Sequence, residues 1–141
     1  MRTWAEDPIQ IAIVRHYRKH YAGRIFHIPN GGRRGKLQAI RFKAMGVEAG
    51  VLDLCILNPA RFAFMEVKAD APLSKGQIDF IADLADMGIP HTVVHSLDEA
   101  KAAFKEWGLA LKTPAPRGRD AAWGRLRKVD APLGGELETE F

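Results

Sequence analysis

Cysteine and long hydrophobic runs are what this 141-residue sequence has least of. Its single cysteine, Cys55, excludes an internal disulfide and a thiolate metal cluster within one chain. No run reaches the roughly 18 apolar residues that a membrane-spanning helix requires, so no membrane partner is expected. The opening residues contain acids and a proline where a signal peptide has a continuous apolar stretch. We therefore expect a cytoplasmic protein in a reducing compartment.

Acidic residues are scarce in the first half of the chain. Residues 1–70 contain 12 Lys and Arg against 6 Asp and Glu, whereas residues 71–141 contain 9 against 11. A basic surface predicts a polyanionic partner, of which nucleic acid is the commonest. A general contribution to solubility explains the charge equally well when charge is taken alone.

The length suits one domain, and the hydrophobic pattern predicts eight elements within it. Their order is helix, strand, helix, strand, strand, helix, strand, helix. The predicted helices cover 8–21, 37–45, 74–87 and about 96–107, and the strands cover 24–28, 51–57, 62–68 and 91–95. A hairpin followed by a strand–helix–strand crossover predicts an α/β sandwich with a central mixed sheet flanked by helices. Residues 1–109 form the predicted domain, and residues 110–141, rich in proline, glycine and charge, form a predicted, partly disordered tail.

The first and third predicted helices begin with N-terminal capping signals. The first helix has two candidate N-caps: Asp7, with Pro8 in the first turn, or Thr3, with Glu6 completing a capping box. The third begins at Ser74, and its predicted buried face comprises Ile78, Ile81, Leu84 and Ala85.

The predicted hairpin is apolar except for Asp53, Glu66 and Lys68. If its loop is residues 58–61, Asp53 lies opposite Glu66, with Cβ atoms about 4.5–5.5 Å apart. Two carboxylates at that distance repel each other unless a proton or a cation lies between them. A hard divalent cation such as Mg²⁺ or Mn²⁺ satisfies both carboxylates, and Lys68 lies on the same face as Glu66. A surface ion pair is the alternative, and a one-residue slip would move Asp53 to the opposite face.

This combination of charges suits the hydrolysis of phosphodiesters. A bound cation lowers the pKa of a water ligand and polarises a phosphoryl oxygen. An ammonium group beside it positions the attacking water or stabilises the charge that develops on the phosphate.

The sequence also resembles a known family. The segments that carry the resemblance are "EDPIQ", "FHIPNGGRR", "GVEAGVLDLCIL" and "FAFMEVKADAPLSKGQIDFIADLADMGIPHTVV". They resemble the VRR-NUC domain, a branch of the PD-(D/E)XK nuclease superfamily, over about residues 5–108. The resemblance implies a restriction-endonuclease-like fold. One departure is Leu52, where the pattern has proline or a small residue; its side chain is expected to point away from the metal.

The resemblance implies a role for each matching residue. Asp53 and Glu66 correspond to the metal-binding carboxylates, with the backbone carbonyl of Val67 as a further ligand. Lys68 corresponds to the lysine of the E-x-K element. Two further matches complete the set: Gln77 would orient water or a phosphate, and Glu6 would reach the metal directly or through water.

Several of these residues have a simpler interpretation. Gln77 stands three residues after Ser74, so a capping box explains it equally well, and both roles are compatible. Glu6 is open to the same capping interpretation. The three strand histidines, at positions 27, 91 and 95, are expected to be structural because hard cations prefer oxygen ligands.

The glycine-rich segment "PNGGRRGK" predicts a loop that contacts phosphates. Glycines let backbone N–H groups approach a phosphate, and basic side chains supply charge. The candidate DNA contacts in this loop and the next helix are Asn30, Arg33, Arg34, Lys36, Arg41 and Lys43. The segment does not match a Walker A motif, so a nucleoside triphosphate is not indicated. A solvated turn is the alternative.

These features together predict a metal-dependent endodeoxyribonuclease that uses Mg²⁺ or Mn²⁺. The resemblance to forms that consist of this domain alone implies a homodimer acting on branched DNA, such as four-way (Holliday) junctions. The alternatives are a flap or restriction-like nuclease, and a DNA-binding subunit without catalytic activity.

Overall fold

The structure of the protein, a computed structural model, describes residues 4–29 and 35–114. Its helices and strands follow the predicted order. They are α1 (Glu6–His20), β1 (Arg24–His27), α2 (Lys36–Ala44), β2 (Leu54–Leu57), β3 (Phe62–Val67), α3 (Lys75–Asp86), β4 (His91–Val94) and α4 (Leu97–Glu106).

The strands form one four-stranded mixed sheet with the order β1-β2-β3-β4. The first three strands run antiparallel to their neighbours, and β4 runs parallel to β3 because α3 carries the chain across between them. The prediction of an α/β fold with a mixed sheet flanked by helices is therefore confirmed.

Helices cover both faces of the sheet. The main core lies on the side of α1 and α4, where Ile13, Tyr17, Met65 and Phe104 are fully buried. Since side chains alternate along a strand, neighbours of Met65 face the other way. There α3 packs on β3 through an edge-to-face contact between Phe64 and Phe80, with ring centroids 5.5 Å apart.

The β2–β3 hairpin has the predicted register. Leu57 pairs with Phe62, and the pairing continues to Leu54 opposite Met65. The predicted strand at 51–57 is too long, because β2 begins only at Leu54. Just before it, the backbone N–H of Asp53 donates to a side-chain oxygen rather than to a strand carbonyl.

The structure shows that Asp7 is not the N-cap of α1. The helix begins at Glu6, and Ala5 at the N-cap position makes no side-chain hydrogen bond to the helix. Asp7 therefore lies inside the first turn, where its negative charge interacts favourably with the positive end of the helix dipole. Thr3 lies outside the described residues.

The buried face of α3 also differs from its prediction. Leu84 is buried, but Ile78 and Ala85 are exposed. Phe80 contacts Phe64 of the sheet, and Leu84, four residues later, lies on the same face of the helix. Because this face packs on the sheet, Ile78 points towards solvent.

A buried amide closes the turn end of the hairpin. Asn58 is 1% exposed, and its Nδ2 atom lies 3.1 Å from the hydroxyl of Tyr17 and from the carbonyl oxygens of Ala22 and Ala110. Its Oδ1 atom accepts from the backbone N–H groups of Ala60 and Ala110, both at 2.9 Å. The first residues of the predicted tail are thereby bound to the domain. Residues 115–141 lie outside the described residues.

Candidate active site

Asp53 and Glu66 meet at the open end of the hairpin, one step beyond the last paired residues. The backbone N–H of Asp53 donates to Glu66 Oε2 at 2.9 Å. In return, Asp53 Oδ2 accepts from the backbone N–H of Val67 at 3.0 Å. Each carboxylate is therefore held by the opposite strand, which keeps the two acidic groups side by side.

The pKa of Glu66 reflects this arrangement. Burial and the neighbouring charge of Asp53 raise the pKa from 4.5 to about 7, against the opposing effects of the hydrogen bond from Asp53 and the charge of Lys68. Glu66 is only 2% exposed, so little water is available to stabilise its negative charge. Near neutral pH, the pair therefore favours binding a positive charge.

Lys68 supplies part of that charge. Its Nζ atom lies 3.6 Å from Glu66 Oε1, and the side chain is buried. The backbone N–H of Lys68 donates to the carbonyl oxygen of Val94 at 3.0 Å, so β4 fixes the residue that follows β3. One ammonium group beside two carboxylates leaves the cluster with a formal charge of −1 when all three groups are ionised.

Gln77 combines the two roles that the sequence left open. Its Oε1 atom accepts from the backbone N–H of Ser74 at 2.9 Å, and Ser74 Oγ accepts from the backbone N–H of Gln77 at 3.2 Å, so the capping box is present. Its Nε2 atom donates to Glu66 Oε1. The cap therefore fixes the amide while the amide fixes the carboxylate.

Glu6 lies at the start of α1 and is 1% exposed. Its Oε1 atom accepts from the backbone N–H of Ala69 at 3.4 Å, just beyond Lys68. The side chain thus points towards the segment that follows β3 and does not cap its own helix.

The donor set suits a hard divalent cation. Within residues 4–29 and 35–114, no three His, Cys, Asp or Glu side chains form a metal cluster, so Glu6 is not joined to the Asp53–Glu66 pair. Mg²⁺ is commonly held by one or two carboxylates with water completing its coordination. Asp53 and Glu66 meet that requirement, and a bound cation would relieve the repulsion between their negative charges.

His27 touches the site in a way that sequence reasoning missed. Its Nδ1 atom lies 2.8 Å from the carbonyl oxygen of Asp53, which also accepts from the backbone N–H of Ile28 at 2.8 Å. Because a carbonyl only accepts, Nδ1 carries the proton. His27 also lines an open surface pocket of about 280 Å³ together with Asp7, Gln10 and Ile11. The strand-edge position of His27 was the only sequence signal, and it does not reveal the contact with Asp53.

Gly50 positions the segment that leads to Asp53. It has a φ of +87°, and a Cβ atom there would lie 2.2 Å from the carbonyl carbon of Gly76. Only glycine fits both the conformation and the contact. The segment therefore packs directly on the first turn of α3, which sets Asp53 and Gln77 in fixed relation.

The candidate DNA contacts fall into two groups. Lys36, Arg41 and Lys43 belong to α2 and are exposed. Asn30, Arg33 and Arg34 lie outside the described residues.

Comparison with known proteins identifies the fold. No protein-family model matches the sequence, and no match was found among curated proteins. A solved structure described as a VRR_NUC domain protein matches with a TM-score of 0.60 and 25% identity, over 78% of this chain and 93% of that chain. The chain has a VRR-NUC fold. The resemblance noted in the sequence is thereby confirmed as a structural match.

This structural homology implies a PD-(D/E)XK nuclease, and hence a protein that binds DNA. The VRR-NUC fold suggests a phosphodiesterase, and nucleases of this superfamily typically use divalent metals. No helix in the described part of the chain is long and apolar enough to cross a membrane.

Proposed function

We propose that the protein is a Mg²⁺- or Mn²⁺-dependent endodeoxyribonuclease that cuts branched DNA, including four-way junctions, as a homodimer. The observation that carries the proposal is the pairing of Asp53 with Glu66 beside Lys68, at the end of a hairpin in a VRR-NUC fold. A binding module without catalysis has no need of two repelling carboxylates and a buried lysine in one place.

Asp53 and Glu66 hold the metal ion in this proposal. The carbonyl oxygen of Val67 is a further ligand, and Glu6, at the start of α1, acts through water because its carboxylate is not joined to the Asp53–Glu66 pair. When bound, the ion supplies an activated water and neutralises charge on the phosphoryl group.

The remaining residues of the site orient the metal-binding groups and stabilise the charge that develops in the reaction. The Lys68 ammonium, 3.6 Å from Glu66, positions the attacking water or stabilises the negative charge that grows on the phosphate. Gln77 holds Glu66 through its side-chain amide, so the carboxylate keeps one orientation. His27 anchors the backbone of Asp53 in the same manner.

DNA is bound mainly through its backbone. The exposed basic residues of α2, together with Asn30, Arg33 and Arg34 of the preceding sequence, supply contacts to phosphates. Phosphate contacts position a protein on DNA without reading its sequence. The shape of the DNA then determines where the enzyme cuts.

The homodimer follows from the symmetry of the substrate. A four-way junction has approximate two-fold symmetry, and resolving it requires a cut in each of two strands. A two-fold dimer presents two identical sites related by the same symmetry.

A cleavage assay tests the proposal. A labelled four-way junction, a flap and a linear duplex are each incubated with the protein in Mg²⁺, Mn²⁺ or EDTA. We expect cleavage only with a divalent metal and fastest cleavage of the junction. Cleavage in EDTA contradicts the metal mechanism, and preference for linear duplex contradicts the junction substrate. The solution mass of the protein tests the dimer.

A further inference from the structure

Helix α2 is the one helix of the described chain whose backbone lies close to no other helix or strand. None of its nine residues is buried. Leu37 is 83% exposed and Ile40 is 58% exposed, and residues three apart lie on the same side of a helix. An apolar stripe therefore faces solvent on a helix whose own domain does not cover it.

The charges around this stripe indicate what covers it. Lys36 and Lys43 lie on one side of the stripe and Arg41 on the other, by the 100° step of the helix. The helix contains no acidic residue. An apolar strip between two basic edges complements DNA, in which stacked bases lie between two negatively charged backbones.

A second copy of the chain is a poorer match for the same stripe. A stable interface buries about 800 Å² per partner, contributed by about 20–30 residues. The nine-residue α2 cannot supply that alone, and its three basic residues would oppose those of a second α2.

The placement of α2 connects it to the active site. Immediately before the segment that contains α2, the backbone N–H of Ile28 donates to the carbonyl oxygen of Asp53. At the end of that segment, Gly50 packs against Gly76 at the start of α3. Both ends of the segment that contains α2 are thus fixed close to the proposed catalytic cluster.

We propose that α2 is a DNA wedge: Leu37 and Ile40 enter between bases at a branch point while Lys36, Arg41 and Lys43 bind the flanking phosphates. The inference rests on the proposed nuclease function and names how that function selects its substrate. Separating stacked bases in linear duplex is energetically costly, whereas bases at a branch are already partly unstacked. A wedge therefore favours branched DNA without any contact to a specific sequence.

A fluorescent base tests the wedge independently of cleavage. 2-Aminopurine replaces one base at the branch point of a synthetic four-way junction, and fluorescence is recorded with the full chain in EDTA. We expect the wild-type protein to increase the fluorescence, because an inserted side chain unstacks the base. The double variant Leu37→Ser with Ile40→Ser loses most of the increase and binds the junction about tenfold more weakly. Its affinity for linear duplex changes less than twofold.

Two controls accompany this variant. Met87→Ser removes an apolar side chain of similar exposure (63%) at the far end of α3, and it should behave as wild type. Lys43→Ala should weaken binding to junction and duplex alike, because it removes only a phosphate contact.

The outcomes separate the wedge from the nuclease proposal. If the wild type cuts junctions but the double variant still raises the fluorescence, the wedge is wrong and the nuclease stands. If no DNA is cut in any metal while the fluorescence change depends on Leu37 and Ile40, the nuclease is wrong and the wedge stands. If the double variant changes from dimer to monomer, a second copy covers α2 and the wedge is wrong.

Discussion

At the turn end of the β2–β3 hairpin, a neutral amide joins three parts of the chain; at the open end, two carboxylates lie side by side. Asn58 is as well buried as Glu66. Every buried side-chain nitrogen and oxygen of the described residues has a hydrogen-bond partner, so hydrogen bonding does not distinguish the two ends. Charge does. The donors and acceptors of Asn58 are balanced, whereas Glu66 faces Asp53, which helps to raise its pKa to about 7.

The two ends of the hairpin differ in the kind of buried polar residue they contain, and only one kind indicates chemistry. An amide whose bonds are all satisfied holds the fold together and requires nothing further. A buried carboxylate beside a second carboxylate is less stable than its protonated form unless a cation binds. We therefore assign stability to the Asn58 end and catalysis to the Asp53 end, and each assignment can be tested separately.

The largest expected effect is on activity. Asp53→Ala or Glu66→Ala should reduce cleavage to background, a loss of at least about 100-fold, because each removes a proposed ligand of the metal. DNA binding should persist or strengthen, since a negative charge near the phosphate is lost. Cleavage rate and binding affinity are measured on the same four-way junction. Full activity of either variant would contradict the assignment of these carboxylates.

The next effect lies at the opposite end of the hairpin. Asn58→Ala should lower the free energy of unfolding by about 2–4 kcal/mol, because it leaves several buried backbone groups without partners. Urea denaturation measures the change, and Arg61→Ala in the same turn is the exposed control. The rate of cleavage per folded molecule should stay unchanged. If folded Asn58→Ala protein cleaves DNA more slowly than wild type, the assignment of stability to one end and catalysis to the other is wrong.

The pH dependence of stability should carry the signature of Glu66. With a pKa near 7 in the folded state and 4.5 as its ordinary value, Glu66 binds more protons in the folded protein than in the unfolded chain between these values. The free energy of unfolding of the metal-free protein should therefore fall as the pH rises through this window, by up to about 3 kcal/mol. Glu66→Gln should remove that slope.

A divalent cation should reverse the trend. Ions bind the deprotonated carboxylates, so Mg²⁺ or Mn²⁺ should raise the melting temperature more at pH 8 than at pH 6. Thermal unfolding with metal and with EDTA measures the difference. A metal effect that is equal at both pH values would place the cation elsewhere.

The sequence predicted the register of the hairpin correctly because strand geometry is regular. A four-residue loop and a two-residue period were enough to place Leu57 opposite Phe62 and, by continuation, Asp53 beside Glu66. The structural match then confirmed the fold. Contacts between distant segments could not be obtained in this way. Neither the ring of His27 against the Asp53 carbonyl nor the packing of Gly50 on Gly76 has a local pattern.

Helix faces were predicted less reliably than strand faces. An apolar stripe marks the side of a helix that will be covered, but it does not say what covers it. In α3 the contact of Phe80 with Phe64 decided the orientation and left Ile78 exposed. In α2 the stripe at Leu37 and Ile40 stays largely exposed in the described fold, which is the basis of the proposed wedge.

The smallest expected effect separates the two roles of Gln77. A glutamate at the third position of a helix completes a capping box as well as glutamine does, so Gln77→Glu should leave stability within about 1 kcal/mol of wild type. The same change replaces the amide that donates to Glu66 by a repelling carboxylate. We therefore expect cleavage to fall about tenfold, an effect typical of losing a group that orients a metal ligand. Ser74→Ala is the converse control, since it removes the cap bond, costs about 1 kcal/mol of stability, and should leave the cleavage rate of folded protein unchanged. If Gln77→Glu cuts at the wild-type rate, the amide serves the helix alone, and the open end of the hairpin reduces to Asp53, Glu66 and Lys68.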